Sequence, residues 1–342
     1  MNALEQLSGE YFEGVLQIMR EPAGLRLDRL TPAQMAYCQP NPALAVRAKC
    51  CAGAILAFRT DSNFLDMKFA ILDGCRALYG IDVEIDGVLS HAVRVDQREA
   101  TLDGRLFDLP DRREREIRVF LPCTVEIRLQ EVGLADGATL QPVPRKKGKL
   151  LCLGDSITQG MEARSPHSTY AFQLARLLDM ELLNLGVGGH VFDAAFLDPN
   201  LPFRPDLVTV AYGTNDWTRG MSIEQVRCNA REFLAKLQSI HPPRETSIVV
   251  ISPLWRTPPA QPARNDTDLA AFSRAILETA GEFHRVTPIA GLELVPNQPW
   301  YFVDGLHPND TGFLYYAVNL YRKLRETGVV RVQAGLGDDV PW

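Results

Sequence analysis

The sequence predicts an α/β chain in two parts: an antiparallel β-sandwich or jelly roll, then a parallel sheet covered by helices. Three observations predict it. Residues 1 to about 147 carry short runs of period-2 alternation punctuated by Asp-Gly pairs. From Lys149 onward, apolar runs without alternation take turns with amphipathic segments. Between the two rhythms lies "QPVPRKKGK" (141–149), whose prolines, glycine and basic cluster mark a solvated connector. The expected boundaries are 1–147 for the β-sandwich, 148–330 for the α/β domain and 331–342 for a C-terminal tail.

In the first part, strands are expected at "AILAFRT" (54–60), "FLDMKFAIL" (64–72), "GIDVEIDG" (80–87), "HAVRVD" (91–96), "REIRVFLP" (115–122) and "TVEIRLQEV" (124–132). Asp73-Gly74, Asp86-Gly87, Asp103-Gly104 and Asp136-Gly137 read as turns. Many short strands at this spacing fit a sandwich or jelly roll. No long helix is expected here.

In the second part, the apolar runs are 149–154, 181–186, 206–213, 247–254 and 285–291. Helices are expected over 168–180, 222–240, 267–283 and 309–326. Ser222 and Gln225 have the spacing of a capping box, and Gly328 is a candidate C-cap. Strands apolar on every residue are buried on both faces, which implies a parallel sheet between helical layers. Such sheets take ligands at the carboxyl ends of their strands.

Composition narrows the function. At 342 residues and 46% hydrophobic, the chain can bury a large core without staples. A net charge of -6 argues against a broadly basic nucleic-acid surface. No run reaches the ~18 apolar residues of a membrane span. The N-terminus lacks the pattern of a secretory leader, and the 7 cysteines are scattered with no C-x-x-C pair. A cytoplasmic protein with reduced thiols is expected. The 6 histidines show no paired ligand spacing, so no metal is expected. "GDSITQG" lacks the Gly-Lys-Ser/Thr end of a P-loop, and no cofactor is expected. Nothing in the sequence indicates an oligomeric state.

The strand-end rule then locates the chemistry. Gly154-Asp155-Ser156 follows the first run, "NLGVGGH" (184–190) the second, and "YGTNDW" (212–217) the third. "VDGLHPND" (303–310) precedes the last helix. Ser156 alone would serve equally as a helix cap. With the other stretches it becomes a candidate nucleophile, because a serine hydroxyl needs a base and His307 supplies one. Asp304, three residues earlier, would hold the imidazole in the right tautomer. The backbone N–H of Ser156, the N–H of Gly189 and the side-chain amide of Asn215 would bind an oxyanion. Gly189 has no Cβ to block approach to its backbone.

Together and in this order, the four stretches resemble the blocks of the SGNH hydrolases, the GDS-type esterase and acylhydrolase superfamily, over about 149–326. Gly154-Asp155-Ser156, the glycine turn, Gly213-Thr214-Asn215-Asp216 and Asp304-Gly305-Leu306-His307 each match a block. In the second block the spacing picks Gly189, with Gly188 as a rival. The resemblance implies a flavodoxin-like three-layer fold and metal-free ester cleavage through an acyl-serine. It implies Ser156, His307 and Asp304 as catalytic residues. Some relatives carry an N-terminal β-sandwich, and some are acyltransferases.

The expected substrate is a small-molecule or carbohydrate ester with a short acyl group such as acetyl. Acyl transfer to an alcohol or amine is the alternative, and a carbohydrate-binding module with a degenerate hydrolase is a third reading. Asp155, His190, Asp216 and Trp217 are candidate substrate contacts. Each has a plainer reading: turn bonding for the two acids, packing for His190 and His167, core burial for Trp217 and Tyr212.

Overall fold

The alternating runs of the first part form two antiparallel sheets in the computed structural model, which describes residues 1–257 and 268–330. The tail expected over 331–342 lies outside the described residues. One sheet has the order β1 (Phe12–Glu13), β4 (Ile55–Thr60), β9 (Arg115–Phe120), β6 (Tyr79–Ile85), β7 (Val88–Val95), with β11 (Gln141–Pro142) paired to β4. The other has the order β2 (Gln17–Glu21), β3 (Gly24–Asp28), β10 (Val125–Gly133), β5 (Phe64–Gly74), β8 (Thr101–Asp108). Along β5, Leu65, Met67, Phe69 and Ile71 are buried while their neighbours are partly exposed. They share one core with Leu56, Phe58, Ile81, Val83 and Val119 of the facing sheet.

Three features depart from the sequence reading or add to it. Asp103-Gly104 is not a turn but runs within β8, opposite Lys68 and Met67 of β5. Pairing to a long neighbouring strand overrides the local turn preference. Two short helices that the sequence reading did not name, α1 (Pro32–Cys38) and α2 (Pro42–Ala48), stand in this half, where no long helix was expected and none forms among the described residues. Each starts on a side-chain cap followed by proline: Thr31 Oγ1 accepts from Gln34 N at 3.2 Å, and Asn41 Oδ1 from Ala43 N at 3.1 Å. The basic connector is largely exposed, as expected, and is also pinned by surface ion pairs. Arg145 pairs with Glu181 at 2.9 Å, and Lys146 with Asp179 at 3.4 Å.

In the second part five strands, β12 (Gly148–Gly154), β13 (Met180–Asn184), β14 (Leu207–Ala211), β15 (Ser247–Ile251) and β16 (Val286–Ile289), form a wholly parallel sheet. Its order is β13-β12-β14-β15-β16. Successive residues of each strand face opposite layers. Leu151, Leu153, Val208 and Val250 pack under α6 (Ile223–Ile240) and α7 (Leu269–Gly281). Leu150, Cys152, Leu207 and Val249 pack under α4 (Tyr170–Leu177) and α8 (Asp310–Glu326). Burial on both faces is why these strands show no alternation. The capping box forms at α6, with Ser222 Oγ accepting from Gln225 N at 3.2 Å. Among the described residues no helix is long and apolar enough to cross a membrane.

The strand order reverses direction about β12, so its carboxyl end, flanked by those of β13 and β14, is the switch point where such sheets bind ligands. The N-terminal half reaches this region through a buried arginine. Arg29 donates to three carbonyls: Cys50 at 2.7 Å, Asn184 at 2.8 Å and Arg47 at 3.0 Å. Asn184 ends β13, so one side chain joins the two halves. No carboxylate among the described residues lies within ion-pair distance of it, and burial pushes its pKa down. Replacing Arg29 by Met removes the side-chain donor from the carbonyls of Cys50 and Asn184 and leaves Arg47 C=O with only backbone donors, such as the Cys50 N–H at 3.3 Å. We expect Arg29→Met to lower stability by about 3 kcal/mol or more, read from urea unfolding followed by tryptophan fluorescence.

Candidate active site

The turn after β12 decides what Ser156 does. Gly154 has to be glycine, because a Cβ there would meet Thr158 Oγ1 at 2.0 Å. Asp155 then takes the capping role, its Oδ1 accepting from Ile157 N at 3.0 Å. Ser156 becomes the first residue of α3 (Ser156–Gln159). As such its own N–H has no intrahelical acceptor. Its hydroxyl is left for another partner, and Ser156 Oγ lies 2.8 Å from His307 Nε2.

His307 is set by its own turn. Its Nδ1 lies 2.7 Å from Asp304 Oδ2, and Asp304 Oδ1 accepts the N–H groups of Leu306 and His307 at 3.0 and 2.8 Å. Burial works to raise the Asp304 pKa. The side-chain and backbone bonds from His307 outweigh it and hold the carboxyl well below the usual carboxylate range. An ionised Asp304 fixes the ring proton on Nδ1 and leaves Nε2 to accept from Ser156. Ser156 and His307 are 5% and 7% exposed, so the pair is largely shielded from water.

The glycine turn after β13 lies beside them. Gly188 N–H donates to Gln159 Oε1 at 2.8 Å, and Gly188 C=O accepts from Arg47 Nη1 at 2.8 Å. Gly189 C=O accepts from Arg219 Nη2 at 2.5 Å. His190 N–H donates to Val187 O at 3.0 Å, and His190 C=O accepts from Asn215 Nδ2 at 3.0 Å. Gly189 N–H alone has no acceptor among the described residues. That separates Gly189 from its rival Gly188, whose N–H is occupied. Gly189 sits at φ +82, a conformation that favours glycine.

Asn215, in α5 (Thr214–Thr218), also donates to Asp155 Oδ2 at 3.3 Å. The four side chains read as candidate substrate contacts are each buried, with partners on neighbouring loops. Asp155 joins its own turn to Asn215. Asp216 accepts from Phe192 N at 3.2 Å and Gly213 N at 3.1 Å. His190 lies between the hydroxyls of Tyr212 at 3.1 Å and Tyr37 at 3.3 Å, and burial pushes its pKa down to about 4. Trp217 is buried in the core, with the Arg256 guanidinium 5.4 Å from its ring centroid. Tyr212 is likewise core, and His167 packs on Phe120 and Phe172 at the junction of the halves.

One group was missed. Glu162, 7% exposed and at φ +69, forms an ion pair with Arg76 of the N-terminal half. Its carboxylate, Asp304 and His307 offer ligand atoms within 4.8 Å of one another. This is no ready cation cradle, because both ring nitrogens of His307 and the Glu162 carboxylate already have partners. Nothing in the local sequence marks Glu162 except its position in the loop after α3.

Burial raises the pKa of Asp155 to about 7 and of Asp216 to about 6. A carboxyl raised in the folded state binds its proton there first. Its contribution to stability is therefore present at low pH and lost as pH rises from the unfolded value near 4 through the folded one. Asp155→Asn removes that titration. Urea unfolding between pH 4 and 7 should then show a flatter decline in stability than wild type, by up to about 1.4 kcal/mol per pH unit at the steepest point.

Residues 152–313 match the sequence profile of the GDSL-like lipase/acylhydrolase family. No curated protein sequence gives a significant match to the chain. Solved structures share the whole architecture. A salicylyl-acyltransferase, SsfX3, from a tetracycline biosynthetic pathway superposes with TM-score 0.79 at 23% identity, covering 94% of this chain and 96% of that one. A protein of Bacteroides ovatus described as a GDSL-like lipase gives 0.78 at 21%, covering 98% and 99%. An acetyl xylan esterase, Est2A, from Butyrivibrio proteoclasticus gives 0.63 at 14%, covering 96% and 99%. At these identities the likeness establishes a shared fold, the β-rich N-terminal half included. The half of the chain that begins at β12 thus carries the match to the GDSL-like lipase/acylhydrolase family, over residues 152–313, and the chain as a whole shares its fold with these solved structures.

Proposed function

We propose that the protein cleaves a small-molecule or carbohydrate ester with a short acyl group, through an acyl-serine on Ser156. One observation carries the reading: Ser156, His307 and Asp304 form a continuous chain of contacts at 2.8 and 2.7 Å, and Gly189 N–H has no acceptor among the described residues. Ser156 Oγ attacks the ester carbonyl carbon and passes its proton to His307 Nε2. Asp304 stabilises the imidazolium that results. The carbonyl oxygen, now negative, accepts from the N–H groups of Gly189 and Ser156 and from the Asn215 amide. Asn215 releases its longer contact, the 3.3 Å one to Asp155, to do so. Collapse of the intermediate expels the alcohol, which takes its proton from His307. Water then enters by the same route and frees the acid.

The deep setting of Ser156 and His307 supports a small acyl group. So does the shared fold of an acetyl xylan esterase. The shared fold of a salicylyl-acyltransferase over 94% of the chain supports the second reading, in which an alcohol or amine replaces water. The chemistry up to the acyl-enzyme is identical. The readings part only at the second attack, which depends on whether water or an acceptor reaches the acyl carbon. Seven free cysteines, five of them buried, support a reducing compartment.

Chromogenic esters from acetyl to dodecanoyl test the proposal. Turnover should be greatest at the short end, and Ser156→Ala should lower kcat by about a thousandfold or more while the melting temperature holds. Full activity in Ser156→Ala would sink the acyl-serine. Asn215→Ala should lower kcat by about 100- to 1,000-fold, the usual effect of removing one oxyanion donor. Product analysis with added alcohols separates hydrolysis from transfer.

A further inference from the structure

We infer that Arg47 of the N-terminal half is a positioning residue for the oxyanion donor, so that the β-rich half completes the active site. The inference rests on the reading of Gly189 N–H as that donor. Gly188 C=O and Gly189 N–H are the two ends of one peptide group. In a planar trans peptide they point in opposite directions, so whatever holds the oxygen aims the N–H. Arg47 Nη1 holds that oxygen at 2.8 Å. A cation bonded to a carbonyl also polarises its peptide and strengthens the N–H at the far end as a donor. Arg219 bonds the next carbonyl, that of Gly189, which belongs to a different peptide group.

The setting of Arg47 fits this role. It stands in the last turn of α2, whose start is fixed by the Asn41 cap. Its own carbonyl accepts from the buried Arg29 at 3.0 Å, so its backbone is tied to the end of β13. Its guanidinium is half-buried and has no carboxylate within ion-pair distance among the described residues. An acidic partner would cancel the positive field at the donor peptide; none is there. The contact also needs the glycine pair. A Cβ on Gly189 would lie 2.8 Å from Arg47 Nη1, and one on Gly188 would lie 2.2 Å from Met161 Cε.

A plain clamp between the two halves would use the same bond, and kinetics separate the two roles. Arg47→Gln and Arg47→Lys are compared with wild type and Ser156→Ala, using 4-nitrophenyl acetate as substrate and ethylboronic acid as probe. On binding, Ser156 Oγ forms a bond to boron and its proton passes to His307. The tetrahedral boron then carries the negative charge beside Gly189 N–H. Arg47→Gln should lower kcat about tenfold or more with KM within about twofold of wild type. Affinity for ethylboronic acid should fall by a similar factor, and Arg47→Lys should recover part of both, since a lysine keeps the charge but not the reach of the fork. Wild-type kcat and boronate affinity in Arg47→Gln, with only the melting temperature lowered, overturn the inference. If Arg47→Gln does not fold, Arg47→Lys decides by the same two readouts: a joint fall in kcat and boronate affinity supports it, and wild-type values overturn it. Ser156→Ala guards the underlying reading. Retained hydrolysis there removes the acyl-serine and this inference with it. Loss of hydrolysis there, with boronate binding in wild type, leaves the Arg47 variants to judge the inference alone.

Discussion

One buried carboxylate, Asp155, ties together the three loops that make the site. Its Oδ1 closes the turn that presents Ser156, and its Oδ2 meets the amide of Asn215. Asn215 in turn holds the carbonyl of His190, in the loop that carries Gly189. The ends of β12, β13 and β14 are thus linked through one acid and one amide. Remove the acid and the glycine turn is still tied to α3 through Gly188 and Gln159, and to Asn215 through His190, but the direct tie between the Ser156 turn and Asn215 is lost. Catalysis by fixed dipoles requires such groups to be in place before the substrate arrives.

The arrangement carries an energetic cost. Asp155 and Asp216 are both buried, and burial raises the pKa of each. Water would solvate those charges better than the protein does. Each is retained where it satisfies backbone N–H groups of loops that cannot join a helix or a sheet: Ile157 for Asp155, Phe192 and Gly213 for Asp216. The buried acids next to Ser156 and Asn215 are therefore loop fasteners. The exposed acid Asp304 is the one that stays ionised, because its bonds to His307 outweigh its burial.

This explains what the sequence could and could not show. The contact of Ser156, His307 and Asp304 was legible because its parts are local: Asp304 and His307 share one turn, and Ser156 follows an apolar strand at its carboxyl end. The direction of side chains in those loops was not legible. Asp155, His190, Asp216 and Trp217 neighbour functional residues in the chain, yet each turns inward, and adjacency in sequence does not specify which way a loop residue points. The parallel sheet was legible because strands buried on both faces lose their alternation. Helices α1 and α2 escaped because seven residues hold too little of a 3.6-residue pattern to detect, although Thr31-Pro32 and Asn41-Pro42 are sound start signals. Arg47, Arg76 and Glu162 escaped for a different reason. Arg47 lies 141 residues from Gly188, and Arg76 lies 86 from Glu162. No local spacing encodes such a pairing.

Those long-range contacts bear on why the two halves travel as one chain. The β-rich half is not held by apolar burial alone. Arg29 reaches the end of β13, Thr31 meets Asp198 at 2.5 Å, Tyr37 meets Asp193 at 2.6 Å, and Asp82 accepts from Ser165 at 2.5 Å. All of these fall on loops that surround the carboxyl edge of the parallel sheet. A doubly wound sheet leaves that edge built from loops, and loops are the least self-supporting part of a fold. An antiparallel domain docked there supplies rigid donors and acceptors that the loops lack. The position that would let such a domain shape substrate choice is thus the same position from which it stiffens the catalytic loops.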